Sequence, residues 1–444
     1  MKIRLESLRD CLDGGVPGNI ATVSVDGVPN IAYLSQVQYV DSEHVALSYQ
    51  FFNTTRRNIL ASPYAKVAVI DPFTAAHYRL SLQYLRTESE GPVFEVMKAK
   101  LAGIASHTGM SGVFRLRGSD IYRVLDIERV PGETLPAPPV RQNLLAALRA
   151  CAEAMHGHSD LEALLTGVLA CLEAQFDIRH AMVLLLDAAA RRLYTVASRG
   201  YEASGAGAEI ALGDGVIGVA AREGTPIRIG HFSADYSYGR AIRESLQRSG
   251  AAERIEMEIP LPGLPHARSQ LAVPIRAAAR ILGVLYMESP QDQRFGYDDE
   301  DALVALAGQL GMAIQLMPQG DAEEAAAPSA PPGRVPGPTV VVRHYGENDS
   351  IFLDDDYLIK GVAGSIFWAL VRDYVERGRV SFSNRELRLD RRIRLPDQSD
   401  NLEARLILLG RRLEERCACL RIAKTGRGRF ELRVDRPLEL VDIA

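Results

Sequence analysis

The sequence predicts an α+β protein built from three domains in series. Its 444 residues suit about three domains of ordinary size. Proline-rich segments at Val130–Val140 and Pro318–Pro338 divide the chain twice. Before the first proline-rich segment, apolar and polar residues alternate as in β-strands. Between the two segments, strand and helix patterns are mixed, and after the second segment helices are followed by a hairpin pattern. The predicted domains are 1–130, 141–317 and 339–444, with a flexible linker over 318–338.

Composition excludes several classes of function. Hydrophobic residues make up 47% and charged residues 24% of the chain, as in ordinary globular proteins. A net charge of −5 predicts neither a basic nucleic-acid coat nor a polybasic membrane patch. Five cysteines do not suggest a disulfide framework, so we expect a cytoplasmic protein. The sequence has no signal-peptide pattern, membrane span, P-loop, nucleophile elbow or zinc-binding helix, and it predicts no metal or catalytic site.

The first domain is predicted to be rich in β-strands and to carry a polar cluster. Alternating residues flank Asp26 and Gly27, which is a hairpin pattern. The later stretch "LSYQFFNTTRRNIL" places hydroxyl and guanidinium groups between a strand and a helix. Such groups at a helix N-terminus suit a phosphate, although paired arginines at a surface turn are also often simply solvated. The residues of this cluster are Thr54, Thr55, Arg56, Arg57 and Asn58.

The first domain resembles the FMN-binding split β-barrels that are similar to pyridoxamine 5′-phosphate oxidase. The resemblance rests on "ATVSVDGVPNIAYLS" followed by "LSYQFFNTTRRNILASPYAKVAVID". It implies that Thr54–Asn58 contact the phosphate of FMN, which is the candidate cofactor. Asn30 and Ser35 stand where the oxidases of the family have cationic residues.

The central domain opens with an amphipathic segment and continues as mixed strands and helices. Leu144, Leu148, Cys151 and Met155 form a stripe that suits either a core-facing helix or a dimer seam. The pieces "GDGVIGVAAREGTPIRI" and "SQLAVPIRAAARILGVLYMES" resemble a GAF domain, a module for small-molecule sensing and dimerisation. The resemblance implies a ligand pocket beside "HFSADYSYGRAIRESLQ"; a tyrosine-rich surface loop is the alternative. Its candidate ligand-binding residues are His231, Asp235, Tyr236 and Tyr238.

The third domain has the pattern of strands, three helices and a glycine-tipped hairpin. Over residues 350–434 it resembles the winged-helix output domains of response regulators, whose third helix and wing contact DNA. The domain holds 20 Lys and Arg against 18 Asp and Glu, and its basic residues concentrate between Arg411 and Arg436. The resemblance implies DNA contacts from the third helix through Arg405, Arg411 and Arg412, and from the wing through Lys424, Arg427 and Arg429. Cys417 and Cys419 suit either small buried groups or a redox pair.

The fold class predicted by these resemblances is α+β multidomain, with an N-terminal split β-barrel, a central GAF domain and a C-terminal winged helix. We expect a cytoplasmic, ligand- or redox-responsive transcription regulator that forms a homodimer and binds DNA and a small-molecule effector. Control could act by sequestration of the third domain. An FMN-dependent oxidoreductase is the main alternative. A protein-interaction hub, which would bind a partner protein through Ile407 and Leu408, is the other.

Overall fold

A computed structural model gives the fold of most of the chain. The described residues are 3–12, 16–34, 36–50, 53–107, 116–137, 143–158, 160–230, 259–317, 337–393, 395, 402–426 and 428–443. Most of the predicted linker, residues 318–336, lies outside them, as do residues 231–258.

The N-terminal domain is a seven-stranded antiparallel sheet in the order β2-β1-β5-β6-β7-β4-β3. The predicted hairpin is confirmed: its two strands pair across a turn in which Gly27 has a φ of +80°. A 3₁₀ helix, Leu5–Leu12, and helices α1 (Thr54–Ala61) and α2 (Pro92–His107) pack around the sheet. The strands are β1 Gly18–Val23, β2 Pro29–Leu34, β3 Val37–Tyr39, β4 His44–Tyr49, β5 Tyr64–Ile70, β6 His77–Glu88 and β7 Gly118–Arg129.

The central domain is a six-stranded sheet in the order β10-β9-β8-β13-β12-β11. Helices α3, α4 and α6 cover one face of this sheet, and α5 covers the other. The strands are β8 His180–Asp187, β9 Arg192–Arg199, β10 Glu209–Ala211, β11 Ile227–Ile229, β12 Ser269–Ala277 and β13 Arg280–Ser289. The helices are α3 Leu144–Met155, α4 Leu161–Phe176, α5 Gly215–Glu223 and α6 Tyr297–Leu316.

The stripe of α3 packs inside its own domain. Cys151 and Met155 are buried, and Leu144 and Leu148 are partly buried against the same apolar cluster. Helices α4 and α6 are the neighbours of α3 in this cluster. The core-facing interpretation of the stripe therefore accounts for it, whereas Leu145, which lies beside the stripe, is exposed.

The C-terminal domain contains the predicted strands, three helices and hairpin, with one further strand between the first two helices and one after the hairpin. A four-stranded sheet, β16-β15-β14-β20, and a three-stranded sheet, β17-β19-β18, enclose the helices. The strands are β14 Val340–Tyr345, β15 Ser350–Leu353, β16 Asp356–Ile359, β17 Ser381–Ser383, β18 Leu420–Gly426, β19 Arg429–Val434 and β20 Leu438–Ile443. The helices are α7 Gly361–Arg377, α8 Asn384–Leu389 and α9 Leu402–Arg416.

The central domain contacts both of its neighbours. Val96 and Ala99 of α2 pack on the apolar cluster beside α5, and Arg9 bonds to Asp301 at the start of α6. On the opposite face, the buried apolar side chains of the central and C-terminal domains form one continuous cluster that includes much of α9. Helix α9 therefore lies between its own domain and the central sheet.

Candidate functional site

The predicted phosphate cluster lies in the first two turns of α1, and its two arginines have different surroundings. Asn53 caps α1, because its side chain accepts a hydrogen bond from the backbone N–H of Arg56 at 3.0 Å. The Arg56 guanidinium pairs with Asp120 at 2.6 Å and donates to Thr87 Oγ1 at 2.9 Å. It also stacks 4.5 Å above the ring of Tyr49. Arg56 is therefore a structural residue that joins α1 to the strands behind it.

The other members of the cluster divide between structural and accessible groups. Asn58 is buried and donates to Thr22 Oγ1 at 3.1 Å, while Thr55 accepts from Asn30 at 3.0 Å. Arg57 is exposed and donates to Thr54 Oγ1 at 3.1 Å. Within the described ranges, no carboxylate lies in salt-bridge distance of Arg57, so its charge remains available at the helix N-terminus.

These residues fit the phosphate of FMN only in part. Arg57 and Thr54 offer a cation and a hydroxyl on the exposed side of α1. Arg56 does not, because the Asp120 carboxylate both neutralises it and would repel an anion placed beside it. FMN, if bound here, would supply redox chemistry, and Arg57 and Thr54 are the groups that would hold its phosphate.

The four candidate ligand-binding residues of the central domain, His231, Asp235, Tyr236 and Tyr238, lie outside the described residues. A polar group that sequence reasoning missed lies on the sheet of the central domain. Glu288 of β13 is buried and accepts hydrogen bonds from the Leu264 backbone N–H at 2.7 Å and from Tyr286 Oη at 3.1 Å. Burial raises the pKa of the Glu288 carboxyl. The sequence does contain an indication of this group. In the strand "LYMES", alternation places Tyr286 and Glu288 on the same buried face.

The raised pKa of Glu288 predicts a pH-dependent stability. The folded protein holds the proton more tightly than the unfolded chain, whose carboxyl titrates near its ordinary value of 4.5. The stability from this group is complete below that pH and is lost as the pH rises through the folded-state pKa. Thermal unfolding from acid to neutral pH should therefore show the wild type losing stability relative to Glu288→Gln. An unchanged difference between the two proteins across this range would contradict the assignment.

Two of the α9 cations that are predicted to contact DNA bond to the central domain in this structure. Arg405 pairs with Asp187 of β8 at 2.6 Å, and its guanidinium stacks 4.1 Å above the Tyr194 ring. Arg411 donates to the Val196 carbonyl oxygen at 3.0 Å. Both bonds reach the central domain, so this face of α9 is covered in the structure.

Arg412 points into its own domain. It is 3% exposed and donates to the carbonyl oxygens of Leu358 at 3.0 Å and Tyr357 at 3.4 Å. Burial lowers the pKa of its guanidinium, and Glu415, at 3.1 Å, opposes that shift. Arg412 is therefore placed as a structural residue, and a DNA contact from it would require a rearrangement of the domain.

The hairpin residues are more accessible than those of α9. Lys424 on β18 lies 3.1 Å from both Asp160 and Glu162 of the central domain. Burial alone would lower the pKa of Lys424, and the two carboxylates more than offset this, so the pKa is raised. Arg429 is half-buried at the start of β19, and Arg427 lies outside the described residues.

The Cys417 and Cys419 sulfurs are 2.8 Å apart at the end of α9. Burial raises the pKa of the Cys419 thiol to about 12, which disfavours the reactive thiolate. This environment favours the interpretation of Cys419 as a small buried group over that of a redox-active one. In the part of the chain that the structure describes, three or more His, Cys, Asp or Glu side chains nowhere group as a metal site would need. No described helix is long and apolar enough to cross a bilayer.

Comparison with known proteins assigns the central domain. Residues 158–315 match the sequence model of the GAF domain family. The central domain is a GAF domain. This part of the prediction is confirmed, and it makes signal sensing the coarse function that the chain supports. No curated protein sequence matches the chain.

Several solved structures match part of this chain. The GAF domain of an Acinetobacter phosphoenolpyruvate-protein phosphotransferase is 22% identical, with a TM-score of 0.31, and the match covers 38% of this chain and 92% of that one. Free methionine-R-sulfoxide reductase from Neisseria meningitidis is 20% identical, with a TM-score of 0.31 and coverage of 40% and 90%. An FMN-binding protein from Syntrophomonas wolfei is 16% identical, with a TM-score of 0.25 and coverage of 29% and 86%.

Proposed function

We propose that this protein is a cytoplasmic, ligand-responsive transcription regulator in which the GAF domain senses a small molecule and the C-terminal domain, a winged helix, binds DNA. The observation that carries the proposal is the placement of cations on α9 and on the β18–β19 hairpin, directly against the GAF domain. A sensor domain that touches the candidate DNA-binding surface can change the access to that surface when its ligand binds.

The protein-interaction alternative and the oxidoreductase alternative receive less support. Leu408, which the interaction hypothesis offers to a foreign partner, already lies beside Gly207 of the GAF domain. The oxidoreductase hypothesis needs a flavin site, and Arg56 is committed to Asp120. We also propose a homodimer, which the exposed apolar side chains of Ile31 and Tyr33 on β2 support as a contact surface.

Arg429→Ala tests the proposed DNA contact, because this hairpin cation is half-exposed and belongs to the predicted wing. Loss of one phosphate contact should weaken DNA binding by about fivefold and reduce the slope of log affinity against log salt by about one unit. Binding to a random-sequence duplex and to the DNA upstream of the protein's own gene would be followed by fluorescence anisotropy at several salt concentrations. Arg79→Ala removes one exposed cation from the N-terminal sheet and is the matched control. Equal affinities for the two variants would contradict a DNA-binding role for Arg429.

A further inference from the structure

The seam between the GAF domain and the C-terminal domain pairs acidic side chains of one with basic side chains of the other. Asp187 contacts Arg405 at 2.6 Å, and Asp160 and Glu162 both contact Lys424 at 3.1 Å. Lys424 lies between its two carboxylates in the way that an ammonium group lies between phosphate oxygens. Arg405 and Lys424, the cations of these pairs, are two of the residues that the winged-helix resemblance assigns to DNA contacts.

We propose that the GAF domain is an autoinhibitory partner of the C-terminal domain, and that its carboxylates Asp160, Glu162 and Asp187 occupy the places that DNA phosphates would take. The regulatory role of this contact rests on the proposed function, DNA binding. The existence of the contact does not depend on that function. The closed state, in which the two domains are in contact, and the DNA-bound state exclude one another. Arg405 and Lys424 cannot bind the carboxylates of the GAF domain and the phosphates of DNA at the same time.

The seam combines an apolar part with charged pairs of different exposure. Its hydrophobic part comes from α9, where Leu406, Ile407 and Leu408 are buried. Its polar part consists of the buried pair Arg405–Asp187 and of Lys424 with Asp160 and Glu162, which is substantially exposed. Exposed pairs such as those of Lys424 contribute little to stability and weaken as the salt concentration rises. The Lys424 pairs are the part of the seam that salt ions and a competing polyanion can reach.

The seam is also incompletely filled. A cavity of about 750 Å³ lies between the end of α3, the start of α4, the end of α6 and the α9–hairpin surface. Met155, Met317, Ile407 and Phe430 give it an apolar lining, and Glu403 and Glu414 stand at its edge. Atoms that face such a cavity lack packing partners, so the closed state gains less from dispersion than a fully packed core would. The cavity therefore lowers the energy needed to separate the domains relative to a fully packed contact.

The contact can be tested without DNA. A carbodiimide joins an ammonium to a carboxylate only where the two touch, so treatment of the full-length protein should link the Lys424 peptide to a peptide that contains Asp160 or Glu162. Mass spectrometry after proteolysis identifies the product. We expect the yield to fall with increasing salt and with added random-sequence DNA duplex. Absence of this cross-link at low salt would overturn the inference.

The regulatory consequence is tested with Asp160→Asn combined with Glu162→Gln. Asparagine caps a helix as well as aspartate does, so the bond to the Ala163 N–H at the start of α4 is retained. Release of Lys424 should tighten DNA binding by about fivefold, by the loss of two rim pairs. Glu133→Gln with Glu153→Gln is the control, because it adds the same charge at exposed positions outside the seam.

The outcomes distinguish the contact between the two domains from its competition with DNA. A cross-link together with tighter binding by the seam variant, and not by the control, supports autoinhibition. A cross-link with equal affinities for wild type and seam variant overturns the competition with DNA. If the seam variant and the wild type both fail to bind any duplex although the cross-link forms, the proposed DNA-binding function fails and the competition fails with it, while the contact between the domains stands.

Discussion

Arg56→Ala should lower the free energy of unfolding of the protein's N-terminal domain by about 3 kcal/mol, whereas Arg57→Ala should leave it nearly unchanged. Arg56 and Asp120 have side chains that are 12% and 10% exposed. Removing the cation leaves the Asp120 carboxylate buried without its partner, which is the costly way to break a buried pair. Arg57 is exposed, and its guanidinium donates a hydrogen bond to the nearby Thr54 hydroxyl. Chemical denaturation of the two single variants measures the difference.

The same two variants separate structure from ligand binding in the N-terminal domain. If the first turn of α1 holds the phosphate of FMN, Arg57→Ala should reduce retention of the flavin, measured as visible absorption of the purified protein against its protein content. Asp120→Asn, which keeps the shape of that side chain but removes its charge, breaks the same pair from the other side and should also destabilise the domain. A stable Arg56→Ala variant would remove that residue from the structural network. Equal flavin content in wild type and Arg57→Ala would remove Arg57 from a phosphate site.

Local patterns predicted local structure well in this chain. The Asp26–Gly27 hairpin, the amphipathic stripe of α3 and the order of strands and helices in the C-terminal domain all follow from short-range periodicity and turn chemistry. Each of these features depends on residues that are close in sequence. The residue types at the start of α1 likewise predicted a helix that begins after a strand.

The roles of individual cations could not be predicted in this way. Whether Arg56 is available to an anion depends on Asp120, which is 64 positions away, and the surroundings of Arg405 depend on Asp187, which is 218 positions away. Adjacent arginines look equivalent in a sequence, yet a helix turns by about 100° per residue and points them in different directions. The pairs Arg56 and Arg57, and Arg411 and Arg412, differ for this reason.

Arg412→Ala should destabilise the C-terminal domain by about 2–3 kcal/mol, while Arg411→Ala should leave that domain folded. Arg412 satisfies the carbonyl oxygens of Leu358 and Tyr357, and Leu358 is fully buried. Truncation removes the guanidinium that donates to both oxygens and opens space beside α9. Arg411 bonds across the seam to Val196, so its loss affects the contact between domains rather than the core.

The two positions must therefore be changed one at a time. A double alanine variant that fails to bind DNA would not distinguish a lost phosphate contact from a destabilised domain. Thermal unfolding followed by circular dichroism should show a lower midpoint for Arg412→Ala only, with the exposed Arg416→Ala as the control from the same helix. Arg411→Ala removes a candidate DNA contact, which weakens DNA binding, and a contact that holds the two domains together, which favours it. Because these effects oppose each other, the DNA affinity should change less than that of Arg429→Ala. A larger loss for Arg411→Ala than for Arg429→Ala would indicate that α9 is already free of the GAF domain in solution.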